Sequence, residues 1–188
     1  MKTLITILFV LISSNCFSQS LEHKTLKISS ESELKISGDT NINSFNCIFD
    51  PEELPKSLNA SFQKTDDKVL VFNSTSLKLN SKAFDCGSRP INRDFEALIK
   101  AEEFPYINLN LEKLKFLNQK SALITLNIEI AGIEKEYVVP VEVDTAESNY
   151  KGVIHLNIED FKLEPPKKIF GLIKVKDEIE IEFNLFFD

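Results

Sequence analysis

Hydrophobic and polar residues alternate with a period of two along most of this chain. In the C-terminal segment KDEIEIEFNLFF, Ile179 and Ile181 share one face and Glu180 and Glu182 the other. The same alternation recurs upstream, with apolar positions at Leu34, Ile36, Ile107, Leu109, Leu111, Leu126, Ile128, Val139, Val141, Ile154 and Leu156. Strands with one apolar and one polar face are typical of antiparallel sheet. About eight or nine such strands joined by short turns predict an all-β barrel or sandwich.

One segment, NRDFEALIKAEEFPYINLNL at 92–111, breaks this period. Three apolar residues fall at helical spacing: Phe95, Leu98 and Ile99. Asn92 is a suitable N-cap, and Pro105 ends the helical pattern before the next strand. We therefore predict one short helix near 92–101. A helix this short is not stable alone in water, so it must lie on an apolar surface such as the open end of a barrel.

The N-terminal residues 1–20 have the pattern of a secretory signal peptide. Lys2 precedes an apolar run that is too short for a membrane span, and small polar residues follow. We expect an exported protein, periplasmic or secreted, with one domain over 21–188. A lipid anchor at Cys16 is a less favoured alternative.

The charge and the cysteines limit the possible partners. Loss of residues 1–20 would change the net charge from −7 to −8, which disfavours binding to nucleic acid and to anionic membrane surfaces. No other segment is long and apolar enough for stable membrane insertion. The remaining cysteines, Cys47 and Cys86, favour a disulfide in an exported protein, and their spacing does not resemble a zinc site.

Candidate catalytic chemistry is sparse. Of the two histidines, we expect His23 in a frayed N-terminal tail and His155 on a solvated strand face. No nucleophile motif, metal-ligand cluster or phosphate-binding glycine loop is present in the sequence. Arg89 and Arg93 could receive an anionic head group at a barrel mouth, although surface pairing with nearby acids is the simpler interpretation. We therefore predict a binding protein without a catalytic residue, metal or cofactor; a hydrolase is the weaker alternative.

Several segments together resemble the YceI-like family of exported lipid-binding β-barrels. The first is the helix, Phe-Pro and strand of 92–111; then come the hairpin LITLNIEIAGIEKEYVVPVEV, the strand GVIHLNIEDFKL and the closing strand IKVKDEIEIEFNLFF. Their order and spacing follow the family pattern over roughly residues 33–188. The resemblance implies an antiparallel eight-stranded lipocalin-like barrel with a helical insertion. It also implies a lipid or polyisoprenoid ligand in the barrel.

The predicted ligand-binding residues form the inner wall and a helical lid. They are Phe95, Leu98, Phe104, Ile107, Leu109, Leu126, Ile128, Val139, Val141, Leu156, Ile181 and Phe183. Alternation alone does not separate a hollow barrel from a packed core, because both need apolar residues at alternate positions. A binding or assembly module with a solid core, acting through its surface, is therefore the main alternative.

Overall fold

The computed structural model describes residues 20–165 and 175–188, so the predicted signal peptide lies almost entirely outside the described residues. In this part of the chain, eleven strands form one antiparallel sheet. They are β1 (Glu22–Lys27), β2 (Glu33–Thr40), β3 (Ser44–Phe49), β4 (Ser57–Asp66), β5 (Val69–Asn80), β6 (Phe84–Asp85), β7 (Tyr106–Phe116), β8 (Ser121–Ile130), β9 (Ile133–Asp144), β10 (Asn149–Asn157) and β11 (Val175–Phe186). The predicted all-β class is confirmed.

The strand order shows why eleven strands match an eight-stranded prediction. The order is β1-β4-β5-β7-β8-β9-β10-β11-β2-β3-β6. The β2–β3 pair continues the register of the β1–β4 pair almost unchanged. The β3–β6 pair likewise continues the register of the β4–β5 pair. Each of the pairs β1/β2, β3/β4 and β5/β6 is therefore one interrupted strand. Ile28, just after β1, bridges to Phe187, so the curled sheet returns to β11.

Irregular residues change which side chains face inward along the longer strands. In β5, Ser74 has a left-handed backbone (φ 64°) and lies within a register shift between Val71 and Thr75. Phe72 before the shift and Leu79 after it are therefore both buried, although their positions differ by an odd number. A second shift in β7, between Leu111 and Lys113, buries Leu114 in the same way.

The helix is present, but it both starts and ends about three residues earlier than the predicted 92–101. α1 spans Arg89–Leu98, with Ser88 at the N-cap position and Pro90 in the first turn. Pro90 fits there because the first helical N–H groups have no partner within the helix. The predicted N-cap, Asn92, lies inside the helix, and its side-chain oxygen accepts a hydrogen bond from the Cys86 N–H (2.7 Å). Two 3-10 turns, Pro51–Glu53 and Ile158–Phe161, complete the described elements.

Two expectations about the N-terminal half have opposite outcomes. The predicted disulfide between Cys47 and Cys86 is confirmed; it joins β3 to the loop that leads into α1. The predicted frayed tail around His23 is wrong, because His23 lies in β1 opposite Ser61 of β4. A weakly amphipathic strand is stabilised here by main-chain pairing with β4, which its own sequence does not reveal.

Among the described residues, no helix is long and apolar enough to cross a membrane.

Candidate functional site

The barrel encloses an elongated cavity of about 430 Å³. Its wall is almost entirely aliphatic and aromatic, drawn from the inward faces of nearly all the strands and from α1. Of the twelve residues predicted to bind the ligand, nine line it: Phe95, Leu98, Ile107, Leu109, Leu126, Val141, Leu156, Ile181 and Phe183. The interior is therefore hollow along much of its length, which the alternation pattern alone left open.

Three of the predicted residues do not line the cavity. Ile128 and Val139 are buried, with 0% and 3% of their surfaces exposed, in a part of the barrel that is filled by side chains. Phe104 precedes β7 instead of entering the wall, and its ring lies over Gly132, where a Cβ atom would be 2.6 Å from the ring. The inward direction of a side chain therefore does not by itself place it at the cavity.

The N-terminal strands contribute much of the wall, and none of these residues is among the predicted ligand-binding set. These side chains include Leu34, Ile36, Phe45, Leu58, Phe62, Leu70, Phe72, Leu77, Leu79 and Phe84. Short runs of alternating apolar residues in these strands could have predicted their inward faces. The interruptions at Ser74 and at the 3-10 turn Pro51–Glu53, however, change which positions point inward on either side of them. Treating each half of an interrupted strand separately would have found them.

One end of the cavity is closed by α1. Phe95 of α1 and Ile99, the residue that follows the helix, are 8% and 4% exposed. Phe95 packs on Phe84 with ring centroids 5.2 Å apart. The Cys47–Cys86 disulfide fixes the chain just before α1. The chain after the helix is held as well, because the hydroxyl of buried Ser81, which precedes α1 in the sequence, donates a hydrogen bond to the Phe104 carbonyl (3.2 Å). This closed end, defined by Phe84, Phe95 and Ile99, is thus held to the barrel on both sides of the helix.

At the opposite end the lining residues are progressively more exposed. Leu185, Phe187 and Tyr150 are half-buried, and Lys24 and Asp188 are exposed. We call this end, defined by Lys24, Tyr150, Phe187 and Asp188, the mouth. Tyr150 contacts Phe187 edge to face at 5.8 Å, and burial raises the pKa of the Tyr150 hydroxyl.

The charged groups singled out in the sequence lie away from this cavity. Arg89 and Arg93 are exposed on α1, at the end opposite the mouth, and neither lines the cavity. His155 is exposed and faces Glu180, with its Nδ1 3.5 Å from the carboxylate. In the described part of the chain, no group of three or more potential metal-ligating side chains lies together.

An apolar cavity of this size is energetically significant. An enclosed empty cavity destabilises a protein by about 24 cal/mol per Å³. This cavity opens to solvent at the mouth, so its cost is lower than the roughly 10 kcal/mol that an enclosed cavity of the same volume would carry. A wall this apolar favours filling by an apolar molecule over filling by water.

Comparisons with known proteins identify relatives of this fold. A family model described as the YceI-like domain matches residues 22–187. The structure resembles that of BcnA from Burkholderia cenocepacia, with a TM-score of 0.65 and 19% identity over 85% of this chain and 98% of that one. It also resembles a polyisoprenoid binding domain from Saccharophagus degradans implicated in plant cell wall breakdown, with a TM-score of 0.59 and 11% identity over 90% of this chain and 99% of that one. No curated protein sequence matches this chain.

Proposed function

Because this chain belongs to the YceI-like domain family, we propose that it is a non-enzymatic binding protein that holds an elongated apolar ligand inside its barrel. The ligand is a polyisoprenoid or another lipid with one long chain. The observation that carries this proposal is the apolar cavity of about 430 Å³ that runs from the closed end to the mouth. This volume lies within the range of about 300–1,000 Å³ that is usual for small-molecule sites.

Burial of a hydrocarbon chain supplies enough free energy for specific binding. Each methylene group moved from water to an apolar site contributes about 0.8 kcal/mol. Ten such groups would contribute about 8 kcal/mol, which corresponds to a dissociation constant near 1 μM before the costs of association are subtracted. The resemblance to a polyisoprenoid binding domain supports a ligand of this class.

The proposal is tested by asking whether a lipid co-purifies with the protein. Native mass spectrometry of the wild type should show a bound species that solvent extraction removes. Leu109→Trp should abolish lipid binding. Leu109 is a half-buried side chain of the cavity wall, so the larger indole ring would occupy part of the cavity. Val138→Trp is the matched control, since Val138 is 60% exposed on the outside of β9.

The result that would overturn the proposal is equally direct. If the wild type carries no lipid and takes up none from added lipid extract, the barrel is not a carrier. Retention of the lipid by folded Leu109→Trp protein would place the ligand outside the cavity. Circular dichroism of both variants shows whether each keeps the strand-rich fold.

We also propose that the protein is exported, with residues 1–20 removed and the binding domain spanning 21–188. The Cys47–Cys86 disulfide supports this, because disulfides form and persist in oxidising compartments. Fractionation of the expressing cells, followed by N-terminal sequencing, tests it. A protein that stays in the cytoplasm with residues 1–20 intact would contradict it. Recovery from the periplasm, from the medium, or with lipid attached at Cys16 would distinguish a periplasmic, a secreted and a lipid-anchored protein.

A further inference from the structure

Most of the polar side chains of the cavity wall lie at the mouth. Elsewhere on the wall, the buried Thr75 has its hydroxyl oxygen occupied, because it accepts a hydrogen bond from the Ser61 N–H at 3.2 Å. At the mouth, the hydroxyl of half-buried Tyr150 makes no hydrogen bond with any residue in the described part of the chain. A ligand that covers this partly buried hydroxyl would leave it desolvated unless a ligand oxygen accepted its hydrogen bond, which is why an oxygen beside Tyr150 is favourable.

The charged side chains at the mouth balance one another. Lys24 lies on the cavity side of β1 with Leu26, and it forms no ion pair within the described residues. Asp188 also lines this end, and its main-chain N–H donates to the Lys27 carbonyl at 2.9 Å. With one cation and one side-chain carboxylate beside it, the mouth does not select for a charged group of either sign.

We infer that Tyr150 and Lys24 bind the head group of the ligand, and that this head group is uncharged and carries a hydrogen-bond-accepting oxygen. The inference rests on the proposed function and adds the orientation: the head lies at the mouth and the tail points towards Phe95 and Ile99. A polar head at the closed end would be buried among apolar side chains there. The ligand is therefore an amphiphile such as a long-chain alcohol, and not a plain hydrocarbon.

The test compares three ligands with the same twelve-carbon chain: dodecanol, dodecane and dodecanoate. Their affinities for the purified protein are measured by displacement of the hydrophobic dye ANS. Tyr150→Phe should weaken dodecanol binding about three- to tenfold, the range expected for one hydrogen bond in a desolvated site, and should leave dodecane binding unchanged. Lys24→Met should also weaken dodecanol binding. Lys27→Met is the matched control without effect, because Lys27 lies on the outer face of β1 and does not line the cavity.

Each outcome separates the inference from the function on which it rests. If Tyr150→Phe weakens dodecane and dodecanol equally, Tyr150 acts only through packing and the head-group site is wrong. Dodecanoate binding that is tighter than dodecanol binding and that is lost in Lys24→Met would show an anionic head instead. Equal effects on all ligands leave the carrier function intact, whereas failure of every ligand to displace the dye contradicts the carrier function itself.

Discussion

The two ends of the barrel differ in how they are built. The closed end combines buried aromatic rings, a disulfide and side-chain hydrogen bonds to the backbone, and its lining residues Phe84, Phe95 and Ile99 are at most 8% exposed. The mouth has half-buried rings and exposed charges, with no covalent link near Tyr150 or Phe187 among the described residues. A hollow barrel loses core contacts along its length, so stability must be concentrated where the side chains do pack. We infer that the closed end supplies stability and the mouth supplies access and selectivity.

Removal of the disulfide should have the largest effect on this arrangement. The bond joins residues 39 positions apart. The double substitution Cys47→Ala and Cys86→Ala should lower the free energy of unfolding by about 4 kcal/mol, chiefly because the unfolded chain gains conformational freedom. Urea denaturation measures the change, and wild-type protein treated with a reductant under mild denaturation should reproduce it. An unchanged midpoint would show that packing alone fixes α1.

Truncation of the helix side chain at the closed end should have the next largest effect. Phe95→Ala should lower the free energy of unfolding by about 3 kcal/mol, because a buried aromatic ring is lost and the cavity grows. Ile91→Ala on the same helix should change it by less than about 0.5 kcal/mol, since Ile91 is 42% exposed. Equal effects of the two variants, measured by thermal denaturation, would show that the helix is not anchored through its inner face.

Two glycines near the closed end allow a matched test of its packing. Both have left-handed backbones, with φ of 75° at Gly132 and 84° at Gly87. A Cβ atom at Gly132 would lie 2.6 Å from the Phe104 ring, whereas at Gly87 it would meet nothing within 4 Å. Gly87→Ala should therefore cost about 1 kcal/mol from backbone strain alone, and Gly132→Ala about 2 kcal/mol or more. If urea denaturation gives equal costs, the contact with Phe104 is not tight.

The smallest expected effect is a pH dependence that distinguishes the tyrosines of the two ends. Tyr137 stacks on Phe161 beside the closed end, and desolvation, followed by the charge of Asp160, raises its pKa to about 12. Because the folded pKa exceeds the unfolded value of about 10, this contribution to stability is complete below pH 10 and is lost as the pH rises towards 12. Tyr137→Phe should flatten the loss of stability in that window, as followed by circular dichroism.

Ligand binding should alter the mouth tyrosine and leave the closed-end tyrosine unchanged. Burial already raises the pKa of Tyr150, and a ligand over it should raise that pKa further. Saturation with dodecanol should therefore shift one phenolate transition to higher pH in an ultraviolet titration, and Tyr150→Phe should remove that shift. A shift that persists in Tyr150→Phe would place the ligand elsewhere.

Much of the fold was readable because the period of two is nearly continuous from Ile107 to the C-terminus. The helix was readable from three apolar residues, but its start was misplaced because Pro90 in the first turn is a weaker signal than a potential Asn92 cap. The N-terminal wall was missed because Ser74 shifts the alternation within β5. Local sequence patterns report the direction of a side chain only while the strand stays regular.

The sequence by itself determined the all-β class and the presence of an amphipathic helix near the middle of the chain, and it favoured a disulfide between Cys47 and Cys86, whose proximity only the structure shows. Only the tertiary structure decided that the barrel is hollow, that Ile128 and Val139 lie outside the cavity wall, and that the polar groups gather at one end. The physical reason is that alternation specifies which face of a strand is apolar, whereas a cavity depends on the distance between opposite walls. That distance follows from how far the interrupted strands stagger around the barrel, and no single segment of the chain records it.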